Sequence, residues 1–155
     1  MDYLNMNKEA LTPVVKQLNI LLSDYNLYYQ KLRNFHWNIK GHSFFDLHNK
    51  FEEMYNDAKL KVDEIAERIL TLNFNPISRF SDYLSTSSLE ESESLISDEK
   101  MVQVLLKDHS ILLVQMKKTM DLAAKAEDEG TIDLVGAYMR ELEKDSWMLN
   151  AWLNK

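Results

Sequence analysis

The chain has 155 residues, 45% hydrophobic and 10% aromatic, enough for one domain with a substantial core. It has no cysteine, which excludes disulfides, thiolate metal sites and thiol nucleophiles. Its formal charge of −7, from 18 Lys+Arg against 25 Asp+Glu, opposes non-specific attraction to nucleic acid or anionic lipid.

Only three glycines and two prolines interrupt the sequence, and Gly41, Pro76 and Gly130 fall between long periodic segments, which predicts an all-α protein. Residues 1–8 read as a short tail without a basic cluster followed by an apolar run. Nowhere do 18 apolar residues stand together, so a cytoplasmic protein with no membrane span is expected. A first helix is predicted from about residue 9 to about 39, with Pro13 near its start. Its seam is Leu11, Val15, Leu18, Leu22, Tyr25, Tyr29, Leu32 and His36, in steps of four and three.

After a break at Asn38 to Ser43, a second helix carries Leu47, Phe51, Met54, Ala58, Val62, Ile65, Ile69 and Leu72 at helical spacing. The stretch from Asn73 to about Ser97 is too long for a simple turn and reads as a crossover, with a short helix near Ser81 to Ser85. A third helix, from about Asp98 to Glu127 with Asp98 as its cap, aligns Val102, Leu105, His109, Leu112, Met116, Met120 and Ala123. A fourth runs from about Thr131 to Leu153. Two long helices, a long crossover and two more long helices match the ferritin-like four-helix bundle, with residues 1–155 forming a single domain.

The informative chemistry lies on the first two helices. His36 ends the first; His48, Glu52, Asp63 and Glu67 follow on the second, and imidazole with carboxylate is a ligand mixture suited to iron or zinc. At about 100° per residue, Glu52, Asp63 and Glu67 lie roughly 40°, 60° and 100° around from His48, so the four share one broad face. Yet 15 residues separate His48 from Asp63, roughly 22 Å of helix, and one metal cannot bridge that. If these residues form one site, the second helix must meet its copy from another chain antiparallel, giving two equivalent sites per twofold dimer. The usual di-iron bundle instead carries Glu-x-x-His pairs. No histidine here has a glutamate three residues before it: those positions are Arg33, Ile39, Phe45 and Leu106.

These residues resemble the Dps mini-ferritins. His36-Trp37-Asn38-Ile39-Lys40-Gly41 is similar to the family's His-Trp motif, Phe44 to His48 to its second histidine segment, and Val62 to Arg68 to its carboxylate segment. The spacings of 12, 15 and 4 between His36, His48, Asp63 and Glu67 match as well. The resemblance implies a homo-oligomer, a dodecameric shell whose ferroxidase centres combine His36 and His48 of one subunit with Asp63 and Glu67 of its twofold partner, Glu52 being accessory. It implies Fe(II) and hydrogen peroxide as substrates, with ferric oxide stored inside and damage by peroxide averted. It further implies that Trp37 quenches radicals beside the site, and that Glu129 and Asp133 line a threefold iron pore, at which another family position is Ala124 here.

Beside these expectations stand plainer ones. His109, on an apolar stripe without matching ligands, is expected to be structural, and His42 an exposed loop residue. Trp147 and Trp152 are expected to pack, and the methionines to fill core gaps. Two other functions compete: a DNA-compacting protein, disfavoured by a tail whose sole basic residue is Lys8 and by the net charge, and a shell that binds zinc without turnover.

Overall fold

The computed structural model describes residues 3–154 and contains five helices in chain order: α1 (Lys8–Asn38), α2 (Phe44–Thr71), α3 (Phe80–Thr86), α4 (Asp98–Lys125) and α5 (Glu129–Leu153). The four long helices form a bundle and α3 lies in the crossover. Among the described residues, no helix is long and apolar enough to cross a membrane.

Three of the four long helices, α1, α4 and α5, start where a side chain satisfies free N–H groups of the first turn. Asn7 accepts from the amides of Glu9 and Ala10, and Asp128 from Thr131. At α4 the cap is Ser97, which accepts from the Lys100 amide, rather than Asp98. The Asp98 carboxylate instead accepts the Ser43 hydroxyl at 2.8 Å, fastening the α1–α2 turn to the start of α4. Nor does Gly130 lie between helices: it is the second residue of α5, which begins two residues earlier than the periodicity predicts.

Pairing follows from the contacts. Phe35 meets Phe51 and Tyr29 meets Tyr55, so α1 and α2 run antiparallel. Gln17 bonds Gln115 and Lys31 bonds Asp108, so α1 and α4 are antiparallel too. It follows that α2 and α4 are parallel, and the chain must travel the bundle's length between them, which is why the connection is long. It travels along α1: the Ile77 amide bonds Asn19, the Ser87 hydroxyl bonds Asp24, and the Ser92 carbonyl accepts from Asn34. Buried Asp24 pins this strap with Oδ1, while Oδ2 has no hydrogen-bond partner among the described residues, and burial raises its pKa.

Leu18, Leu22, Leu32 and Phe35 of α1, Phe51, Ile65 and Ile69 of α2, Leu105, Leu112 and Met116 of α4 and Val135 of α5 are fully enclosed. Each such side chain contributes about 1.5–3 kcal/mol by leaving water. Tyr29 leaves the predicted seam, half-buried, because its ring turns toward Tyr55. Trp152 packs against the core, but Trp147 is 67% exposed, contrary to expectation. Five residues beyond buried Leu142, it falls about 140° round the helix, outside the apolar face.

Candidate metal centre

The turn between α1 and α2 brings the last turn of one helix against the second turn of the other, and with them His36 and His48. Their rings stack, with centroids 3.8 Å apart and planes at 18°. Phe44 stacks on the outer face of His48 at 4.8 Å, and Tyr55 meets His36 edge-on at 5.2 Å. His36 is buried and His48 half-buried.

The two imidazoles are fixed reciprocally. Nδ1 of His36 lies 2.7 Å from the His48 carbonyl oxygen, and Nδ1 of His48 lies 2.8 Å from the His36 carbonyl oxygen. A carbonyl can only accept, so each Nδ1 carries the proton and donates. In the neutral tautomer this selects, Nε2 is the nitrogen with the lone pair in both rings. Orientation of a histidine through Nδ1–H to a backbone carbonyl is the arrangement that fixes tautomer and ring direction for a metal ligand.

Glu52 is exposed one turn beyond His48, and the Tyr55 phenol donates to its Oε1 at 3.3 Å. Tyr55 thus joins Glu52 to His36 and is a site residue that the spacing argument overlooked; its offset of seven from His48 puts it on the same helix face. Partial desolvation and the Glu52 charge hold its phenol above its ordinary pKa, so it remains a donor.

Asp63 and Glu67 are not brought to the histidines. Both stand exposed on α2, four and five turns away, and among the described residues no three His, Asp or Glu side chains converge within the chain. The distance argued from the helical rise is what the fold contains. Between them, Glu64 accepts a hydrogen bond from Tyr138 of α5.

Arg68 turns inward beside outward-facing Glu67. It pairs with Asp128, which is 1% exposed, and donates through Nε to Thr131 Oγ1 at 3.0 Å. A Cβ on Gly130 would lie 2.7 Å from this guanidinium, which explains the glycine inside the helix. The clamp seats the start of α5, where Glu129 and Asp133 are exposed in successive turns, and Ala124 is exposed at the end of α4.

Trp37 is 58% exposed and lies not in the histidine stack but beneath the Arg33 guanidinium, 4.8 Å from its ring centroid. His42 is exposed in the α1–α2 turn. His109 is buried away from the histidine stack, with both ring nitrogens hydrogen-bonded inside the bundle.

The family model for the ferritin-like domain matches residues 15–155. The chain is 43% identical over 150 residues to DNA protection during starvation protein 2 of Bacillus anthracis, covering 97% of this chain and all of that protein. The crystal structure of a Dps protein from Vibrio cholerae O1, a member of a broad superfamily of ferritin-like diiron-carboxylate proteins, superposes with a TM-score of 0.95. It is 43% identical, covering 99% of this chain and 96% of that one. A Dps structure from Listeria innocua soaked with zinc has a TM-score of 0.88 at 29% identity, covering 92% and 97%.

Proposed function

The chain belongs to the Dps family of ferritin-like proteins, and on that premise we propose that it is a ferroxidase and iron-storage subunit. It oxidises Fe(II), with hydrogen peroxide preferred over oxygen, and stores ferric oxide in a hollow dodecamer of its own copies in the cytoplasm, averting oxidative damage.

One observation carries this reading: the reciprocal Nδ1 bonds of His36 and His48, which leave two neighbouring Nε2 lone pairs in a fixed direction. Where His109 has both ring nitrogens hydrogen-bonded inside the bundle, these two rings commit only Nδ1. The carboxylates that complete a hard, anionic donor set are Asp63 and Glu67, and their distance along α2 from His48 supports their supply by a twofold partner. In the dimer, His36 and His48 of each chain face the partner's Asp63 and Glu67, with Glu52 and its Tyr55 donor beside them. Two ferrous ions give one electron each to hydrogen peroxide, whose O–O bond breaks to leave two hydroxide ions. The imidazoles orient the metal, and the carboxylates favour the more highly charged ferric product. Glu129 and Asp133, one turn apart at the start of α5, are the residues for a cation pore, adding to the negative field of a chain of charge −7. Trp37, one residue from His36, is the surface aromatic available to quench radicals.

The test is anaerobic Fe(II) oxidation with added hydrogen peroxide, compared with oxygen alone, on protein first sized by native mass. Fast peroxide-driven oxidation by a shell supports the proposal. A shell that binds Fe(II) or zinc without oxidising iron would leave a metal-binding container, and a small inactive species would remove the shared site.

A further inference from the structure

The core holds a second histidine arrangement. Tyr28 and His109 are 3% and 1% exposed, and the Tyr28 oxygen lies 2.7 Å from His109 Nε2. Their direction of hydrogen bonding is fixed from the far end. The Ser146 hydroxyl donates to the Leu142 carbonyl at 2.7 Å, so at 2.8 Å from His109 Nδ1 it accepts. Nδ1 therefore carries the proton, Nε2 carries a lone pair, and the Tyr28 phenol donates to it. Burial lowers the His109 pKa to about 4, which keeps that lone pair available at neutral pH.

This couple is not isolated. Tyr28 meets Tyr25 edge-on with centroids 6.0 Å apart, and Tyr25 meets Tyr138 at 6.3 Å. Tyr138 in turn donates to Glu64, which lies between Asp63 and Glu67 on α2. Three tyrosine rings in contact thus run from the carboxylate stretch of α2 to a phenol resting on a neutral imidazole.

We propose that Tyr28 and His109 form a buried proton-coupled electron donor, fed through Tyr25 and Tyr138, where a stray oxidising equivalent comes to rest. For the source of that equivalent the inference rests on the iron and peroxide chemistry above. In the step, Tyr28 loses one electron to an oxidant of the hydroxyl-radical class, which becomes hydroxide. The Tyr28 O–H bond breaks, its proton forms a bond to His109 Nε2, and a neutral tyrosyl beside an imidazolium remains. Returning the electron from a further Fe(II), which becomes Fe(III), sends the proton back along the same bond. Enclosure keeps the radical from coupling to another chain, and the Nδ1–Ser146–Leu142 chain holds the imidazole still while it is charged. A couple serving only to satisfy buried polar groups would share the hydrogen bonds but not the redox behaviour.

The experiment is freeze-quench paramagnetic resonance of the whole shell in two arms. One adds Fe(II) and hydrogen peroxide; the other uses metal-free protein flash-oxidised by photoexcited ruthenium tris-bipyridine with persulfate. The expected result is a tyrosyl signal coupled to one solvent-exchangeable proton, absent in Tyr28→Phe, which keeps the ring. In His109→Gln its lifetime should shorten about tenfold, the effect on a rate of losing one hydrogen bond that retains the proton. A signal only in the flash arm, lost in Tyr28→Phe, supports the couple while counting against the peroxide chemistry. A wild-type signal without exchangeable coupling, or one that survives in Tyr28→Phe in both arms, overturns the proposal. The coupling measurement needs no variant, so a misfolded substitution does not protect the idea.

Discussion

His48, in the second turn of α2, has its ring held between Phe44 and His36 and its Nδ1 committed to a backbone carbonyl. Asp63 and Glu67, further along the same helix, stand exposed. The histidine half of the candidate centre is organised within the chain before any metal binds. The carboxylate half is left open, and a second chain would complete it. The contrast locates the organising cost: the two imidazoles are fixed on folding, while the exposed carboxylates retain their rotamer freedom.

The strongest test of this contrast is to remove the organised half. His36→Ala with His48→Ala should lower peroxide-driven Fe(II) oxidation by roughly 1000-fold or more, beyond the 10- to 100-fold typical of losing an outer partner. Stopped-flow absorbance reads the rate and native mass shows whether the shell persists; unchanged oxidation would refute the centre.

His109 sharpens the contrast, since it is a histidine with both nitrogens committed. Its folded pKa of about 4 lies below the ordinary 6.5, so it contributes stability above pH 6.5 that is lost as pH falls through 4. That loss amounts to up to about 3 kcal/mol, and urea unfolding between pH 7 and pH 4 should show a shallower acid limb in His109→Gln. An acid limb identical to that of the wild type would mean the imidazole is not held neutral.

Next to outward-facing Glu67, Arg68 is as fixed as the histidines. Gly130→Ala would push a methyl into its guanidinium and should cost about 2 kcal/mol in thermal unfolding, the ordinary penalty of overpacking. A variant as stable as the parent would show that the guanidinium gives way freely.

A smaller effect tests the division between chains most directly. Chains lacking His36 and His48, co-refolded in equal amounts with chains lacking Asp63 and Glu67, should recover about a quarter of wild-type activity, because half the dimers are mixed and each mixed dimer has one complete site. No recovery in mixed shells would place all ligands in one chain. The smallest expected effect is on DNA: with a charge of −7 per chain, duplex DNA should not be retarded in a gel near neutral pH at physiological salt. Robust retardation would require a basic surface that the sequence does not supply.

The helices were legible because each seam repeats at helical spacing, and boundaries erred by a residue or two where capping decided them, as with Ser97 rather than Asp98. The four proposed ligands were legible from residue type and spacing. Tyr55 was not, since a lone tyrosine at helical spacing is indistinguishable from core until His36 is seen against it.

Sequence by itself determined that this is an all-helical bundle with a long crossover, and that His48 and Asp63 lie too far apart on one helix to share a metal. Both follow from local periodicity and a fixed rise per residue. Tertiary structure alone decided which imidazole nitrogens are free, that Tyr28 donates to His109, and why α5 carries glycine at 130. Those depend on how helices are rotated against one another and where backbone carbonyls and side chains from distant segments meet, and no periodicity within one segment encodes that.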